Sequence, residues 1–123
     1  MYYRFENLEV WKLAREFVNL IYTLTRSFPK EELFALTSQI RRAAISIMLN
    51  ITEGSDRKSD IEFIRFLRIA LTSLEEVVSA LYIALDQKYI TQKQFDELYP
   101  KTNFLSKKIN SLINYLNTTA IRR

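Results

Sequence analysis

The chain has 123 residues and a formal net charge of +4, with 48% hydrophobic side chains, enough for one domain around one core. Its one glycine (Gly54) and two prolines (Pro29, Pro100) are too few for a fold of many tight turns, so an all-α class is expected. Without Cys or His, disulfides, Cys/His zinc sites, thiol nucleophiles and imidazole acid–base chemistry are excluded.

Four helices follow in order. The first is expected over about residues 8–26, where Val10, Leu13, Ala14, Phe17, Ile21 and Leu24 recur three or four apart, the period of one helix face. Leu8, Trp11, Val18 and Tyr22 form a second stripe. Phe28-Pro29 ends this helix, because proline disfavours helical geometry in the residue before it. The second is expected over about 29–53, opened by Pro29 with Glu31 and Glu32 near its positive end. A break near Ala35, with Thr37 as a fresh N-cap, is compatible with the pattern, and Gly54 is expected to close the helix through a positive φ. The third spans about 60–87, started by a Ser59–Glu62 capping box. The fourth spans about 92–117, with Thr91 and Gln94 at the same spacing. Its Phe95, Leu98, Thr102, Leu105, Ile109, Leu112 and Leu116 form a heptad-like seam. Pro100 inside that seam predicts a kink or a late start near Tyr99. Residues 118–123 are expected to fray. Short connections make sequential helices antiparallel neighbours, so residues 1–123 are expected to form one up-and-down antiparallel four-helix bundle.

The second helix is apolar on two sides. Leu36, Ile40, Ala43, Ala44, Ile47 and Ile51 share the core face, while Ile45, Met48, Leu49 and Thr52 fall on another. A polar stripe of Gln39, Arg42, Ser46, Asn50 and Glu53 lies between them. The third helix is apolar over more than half its circumference. One small bundle does not cover this much, so self-association is expected, with Ile45, Met48, Leu49 and Thr52 as the candidate interface. Arg42 and Glu53 are too far apart to pair, so Arg42 is expected to meet a carboxylate such as Glu75, and Glu53 an arginine of a neighbouring helix or subunit. A polar network fixing register is the expected role of the stripe.

No catalytic, cofactor or metal constellation emerges. A di-metal carboxylate bundle needs Glu-x-x-His motifs, and glycine-rich phosphate loops need more than one glycine. The expectation is a non-enzymatic protein with no membrane segment, in the cytoplasm. Counting Lys and Arg against Asp and Glu, residues 88–123 carry +5, more than the whole chain's net charge. Arg41, Arg57, Lys58, Lys101, Lys107 and Lys108 are the candidate nucleic-acid contacts, since Lys and Arg bind RNA or DNA phosphates by charge and counterion release. A merely solvated basic face is the alternative, and a protein partner docked on the second apolar face is another.

The run Leu36-Thr37-Ser38-Gln39-Ile40-Arg41-Arg42-Ala43-Ala44-Ile45-Ser46-Ile47, continuing to Asn50-Ile51-Thr52-Glu53-Gly54, resembles the signature of the four-helix-bundle proteins encoded in bacterial 23S rRNA intervening sequences. Phe5, Leu8, Val10 and Trp11 match its start, and Phe63, Phe66, Leu67 and Ala70 its third helix. Ala35 stands where that family often has glycine, and Ile-Thr-Glu replaces its commoner Ile-Ala-Glu. The resemblance implies a homopentameric bundle. It also implies kinship with accessory proteins of diversity-generating retroelements, basic pentamers that bind a reverse transcriptase and nucleic acid.

Overall fold

In a computed structural model, the backbone of residues 1–122 and the side chains of residues 1–119 are described. A 3₁₀ turn over Arg4–Asn7 leads into α1 (Glu9–Thr25), and a second 3₁₀ turn, Lys30–Glu32, leads into α2 (Leu36–Ser55). α3 (Asp60–Asp86) and α4 (Gln92–Arg122) complete the chain. Each helix packs on its sequence neighbours and α4 returns to α1, while among the described residues no Cα atoms of the diagonal pairs come within 8 Å. This is an up-and-down antiparallel four-helix bundle. Its closest seam is α2–α3 and its loosest is α1–α4.

The core is built from the periodic positions. Ala14, Phe17 and Ile21 of α1 meet Ile40, Ala44, Ile47 and Ile51 of α2, all buried. Phe63, Leu67, Ala70, Val77 and Leu81 line the inner face of α3, and Phe95, Leu98, Leu105, Ile109 and Leu116 that of α4. Each large side chain so buried contributes roughly 1.5–3 kcal/mol.

Helix ends differ from the sequence expectations where packing or local hydrogen bonds compete. α2 begins at Leu36, not Pro29: Pro29 is extended (φ −55°, ψ 142°) and Lys30–Glu32 forms the separate 3₁₀ turn. Ala35 holds the N-cap position without a side-chain cap, and the Leu36 N–H instead donates to Glu32 Oε1 at 3.4 Å. Thr37 is buried one residue inside the helix, so it is not the cap. The Ser59–Glu62 box is half formed: Glu62 N–H donates to Ser59 Oγ at 3.1 Å, but the Glu62 carboxylate turns to Arg65 at 2.9 Å. The Thr91–Gln94 box is complete in both directions. α4 starts at Gln92 and runs through Pro100, so the late start near Tyr99 does not occur. Pro100 is solvent-exposed on the loosely packed side facing α1, where its ring has room. The backbone of α4 is helical to Arg122, past the expected end near residue 117, and Arg123 lies outside the described residues.

Gly54 does not terminate α2 by positive φ. It sits within the helix because α3 comes too close for a side chain: a Cβ there would lie 2.8 Å from Phe63 Cδ1 and 2.8 Å from Phe66 Cβ. The left-handed residue is Lys88, at φ 64°, after α3. Its N–H reaches Leu85 O, and the next N–H, of Tyr89, reaches Ala84 O at 2.8 Å, the double closure of a Schellman motif.

Two substitutions follow with opposite signs. Gly54→Ala favours helix by about 1 kcal/mol intrinsically but forces α2 and α3 apart, so a net loss of about 1–3 kcal/mol in urea unfolding is expected. Lys88→Gly relieves the left-handed penalty and is expected to raise stability by about 0.5–1 kcal/mol in the same assay.

Candidate functional site

The α2–α3 seam holds small residues at both ends: Gly54, which Phe63 and Phe66 of α3 approach, and Ala80, beside Leu36 and Gln39 of α2. Ser46 and Ser73 share a hydroxyl–hydroxyl hydrogen bond of 2.9 Å across it. Asn50 Nδ2 donates to Ser46 Oγ at 3.0 Å and to Ser46 O at 2.8 Å, so the Ser46 hydroxyl is held from both sides. Ser46 and Asn50 of the polar stripe are thus tied to α3. Its other members are not: Gln39 and Arg42 are exposed, Arg42 makes no ion pair with Glu75, and Glu53 pairs with Arg57 of its own chain at 3.3 Å.

This register decides which apolar groups face water. Of the candidate interface residues, Leu49 is 58% exposed, while Ile45, Met48 and Thr52 are half-buried and Met48 packs on the core. On α3 the residues Phe63, Ile64, Leu67, Ala70, Leu74, Val77 and Leu81 are covered within the chain. The exposed surplus lies elsewhere, at Ile61, Ile69 (43%) and Ile83 (49%). Ile69 and Ile83 are two heptads apart and share one edge of α3, a spacing the continuous apolar run conceals. Leu33 and the 94% exposed Phe34 add a second apolar point ahead of α2.

The six basic candidates do not form one patch. Arg41 Nε donates to Thr25 Oγ1 at 2.8 Å, and its guanidinium covers the Tyr22 ring at 4.6 Å, near the end of α1. Arg57 and Lys58 lie at the opposite end, in the α2–α3 connection, with Arg57 over Phe66 at 4.7 Å. Lys108 pairs with Glu9 in the first turn of α1 at 3.0 Å. Lys58, Lys101 and Lys107 are exposed and make no ion pair among the described residues.

Two other surfaces stand out. Between α1 and α4 an open groove of about 500 Å³ is lined by Leu13, Phe17, Leu20 and Phe104, with Glu16 and Lys101 at its rim. At the N-terminus, Tyr3 stacks on Phe5 (5.6 Å, 13° between planes) and Phe5 leans on Trp11 at 4.9 Å. Periodicity misses these rings because they precede the first helix. Among the described residues no cluster of Asp or Glu is placed to hold a metal, and no helix is long and apolar enough to cross a membrane.

The sequence profile of 23S rRNA-intervening sequence proteins matches residues 6–111, including the α2–α3 seam. The chain belongs to that family. A solved family relative supports the bundle: a protein of unknown function from the S23 ribosomal protein family of Bacteroides thetaiotaomicron is 28% identical, with a TM-score of 0.78. The similarity covers 85% of this chain and 97% of that one. No curated protein is similar enough to count as a relative.

In this family member the lead-in to α2 is latched to the α3–α4 connection, where Tyr89 Oη donates to Glu32 Oε2 at 2.7 Å. That bond, with burial and the charges of Glu32 and Glu31 behind it, raises the Tyr89 pKa above its usual 10.0. The unfolded tyrosine therefore ionises first as pH rises. The stabilisation is complete below pH 10 and is lost as pH climbs through the folded-state value. Tyr89→Phe is expected to lower thermal stability at neutral pH and to flatten the alkaline decline. An unchanged alkaline slope would contradict the latch.

Proposed function

We propose that this chain is a non-enzymatic assembly protein that closes into a homo-oligomeric ring and associates with RNA through basic surfaces. The supporting observation is the apolar surface left in solvent along α2 and α3, chiefly Leu49, Ile69 and Ile83. A second copy is the natural cover for such a surface in a small chain. A ring of five subunits is what the family resemblance implies.

The RNA half of the reading rests on charge and on the family's connection with 23S rRNA. The +5 of residues 88–123 includes Lys101 and Lys107, both exposed and without an ion pair among the described residues. Ring closure repeats each weak phosphate interaction around the assembly, so affinity rises by avidity alone. A protein-docking scaffold is the second reading, favoured by the open α1–α4 groove around Leu20 and Phe104.

The test is anisotropy of a labelled structured RNA across salt concentrations. Affinity is expected to fall linearly on a log–log plot. Lys101→Glu with Lys107→Glu is expected to weaken binding and to lower the slope by about one for each phosphate no longer neutralised. No binding at low salt, or binding indifferent to salt, would remove the RNA half. A partner that survives nuclease treatment in a pull-down would favour the scaffold.

A further inference from the structure

We infer that the α1–α2 side of the bundle, from the N-terminal tyrosines to Arg41, is a track for single-stranded RNA on which unpaired bases stack between aromatic rings and guanidinium planes. This rests on the RNA-association reading and specifies its ligand.

Aromatic rings and guanidinium groups are interleaved along this side. Tyr2 meets the Tyr3 ring edge-on at 4.8 Å, Tyr3 stacks on Phe5, and Phe5 leans on Trp11. Beyond Trp11 come Arg15, whose guanidinium lies 5.9 Å from the Trp11 ring, and Tyr22 beneath Arg41. Trp11, Arg15, Val18 and Tyr22 step by four, three and four, one stripe of α1. At about 1.5 Å per residue that stripe alone is roughly 16 Å long, the span of a few nucleotides.

The N-terminal rings are held in place rather than trailing. Tyr3 N–H donates to Glu6 Oε1 at 2.9 Å and Glu6 N–H returns to Tyr3 O at 3.2 Å. Arg4 anchors the turn through Nη1 to Ser55 O at 2.9 Å. Even so, Tyr2 is 91% and Tyr3 58% exposed. An ordered turn that presents two tyrosine faces to solvent supplies a platform with little entropy left to lose on binding.

Charge complements the rings. The carboxylates of α1 turn away from this side: Glu9 pairs with Lys108 and Glu16 lines the α1–α4 groove. Glu6 is taken up by the turn itself. Arg15 is left along the rings for phosphates or for stacking, and Arg4 and Arg41, each with a donor used at Ser55 O or Thr25 Oγ1, add positive charge beside them. Duplex RNA hides its base faces and offers this side only phosphates, whereas an unpaired strand offers both.

The experiment compares an unstructured oligouridine with an RNA duplex of equal length, using the full chain and a Tyr2→Ala, Tyr3→Ala double variant. Both positions are exposed, and circular dichroism checks that the variant folds. The native chain is expected to prefer the single strand, and the variant to lose at least about fivefold in single-strand affinity with duplex affinity unchanged. The only tryptophan, Trp11, reports directly: its fluorescence is expected to be quenched by the single strand and unaffected by the duplex. Equal single-strand affinity in variant and native chain, or single-strand binding without a Trp11 response, would overturn the track and leave RNA association standing. Binding of neither RNA would reject both.

Discussion

The close approach of α2 and α3 governs the rest of this structure. Two helices come this near only where side chains are small, and the seam meets that condition at Gly54, which Phe63 and Phe66 leave no room to enlarge. A bare seam of alanines and glycine would tolerate sliding. The Ser46–Ser73 hydrogen bond, backed by Asn50, makes one register better than its neighbours, since a slip leaves half-buried polar groups unpaired. In that register Leu36 and Ile83 sit beside one groove at one end, and Gly54 meets Phe63 at the other.

The same constraint turns apolar groups outward. With α2 and α3 in close contact, Leu49, Ile69 and Ile83 have no helix of their own chain left to cover them. In the proposed ring, assembly would be a consequence of this packing rather than an added feature. Polar and cationic groups are distributed differently. Arg41, Arg57 and Lys108 are held by rings or carboxylates, while Lys58, Lys101 and Lys107 have no ion pair among the described residues. No single subunit gathers a strong anion site among those residues, so any RNA contact by this protein gains most from repetition around an assembly.

Much of the bundle is legible in the sequence because buried helix faces repeat at a fixed period. The seam of α4 from Phe95 to Leu116 and the inner face of α1 are both read that way. Helix ends are harder, since local chemistry competes with tertiary contact. Gly54 has the composition of a terminator but is required by the proximity of two phenylalanines, while the left-handed position falls on Lys88, which no propensity marks. Pro29 and Thr37 look like helix openers, yet Glu32 supplies the oxygen at the start of α2 from the preceding turn. At the candidate site, the excess of apolar residues on α3 is readable but not which of them remain uncovered. A wheel shows the width of an arc and not where the neighbours stop. Arg41 looks like a free cation in sequence and is bound to Thr25 in space. The N-terminal rings lie outside any helical period, and it is the folded 3₁₀ turn that brings Phe5 beside Trp11.

Sedimentation equilibrium of the purified chain tests the central claim, that the α2–α3 packing leaves apolar surface which only another copy covers. The expected result is a mass several times 14.6 kDa, five times if the proposed ring is a pentamer, and dissociation on placing a charge at Leu49 and Ile69. A native chain that sediments as a 14.6 kDa monomer at micromolar concentration would contradict it.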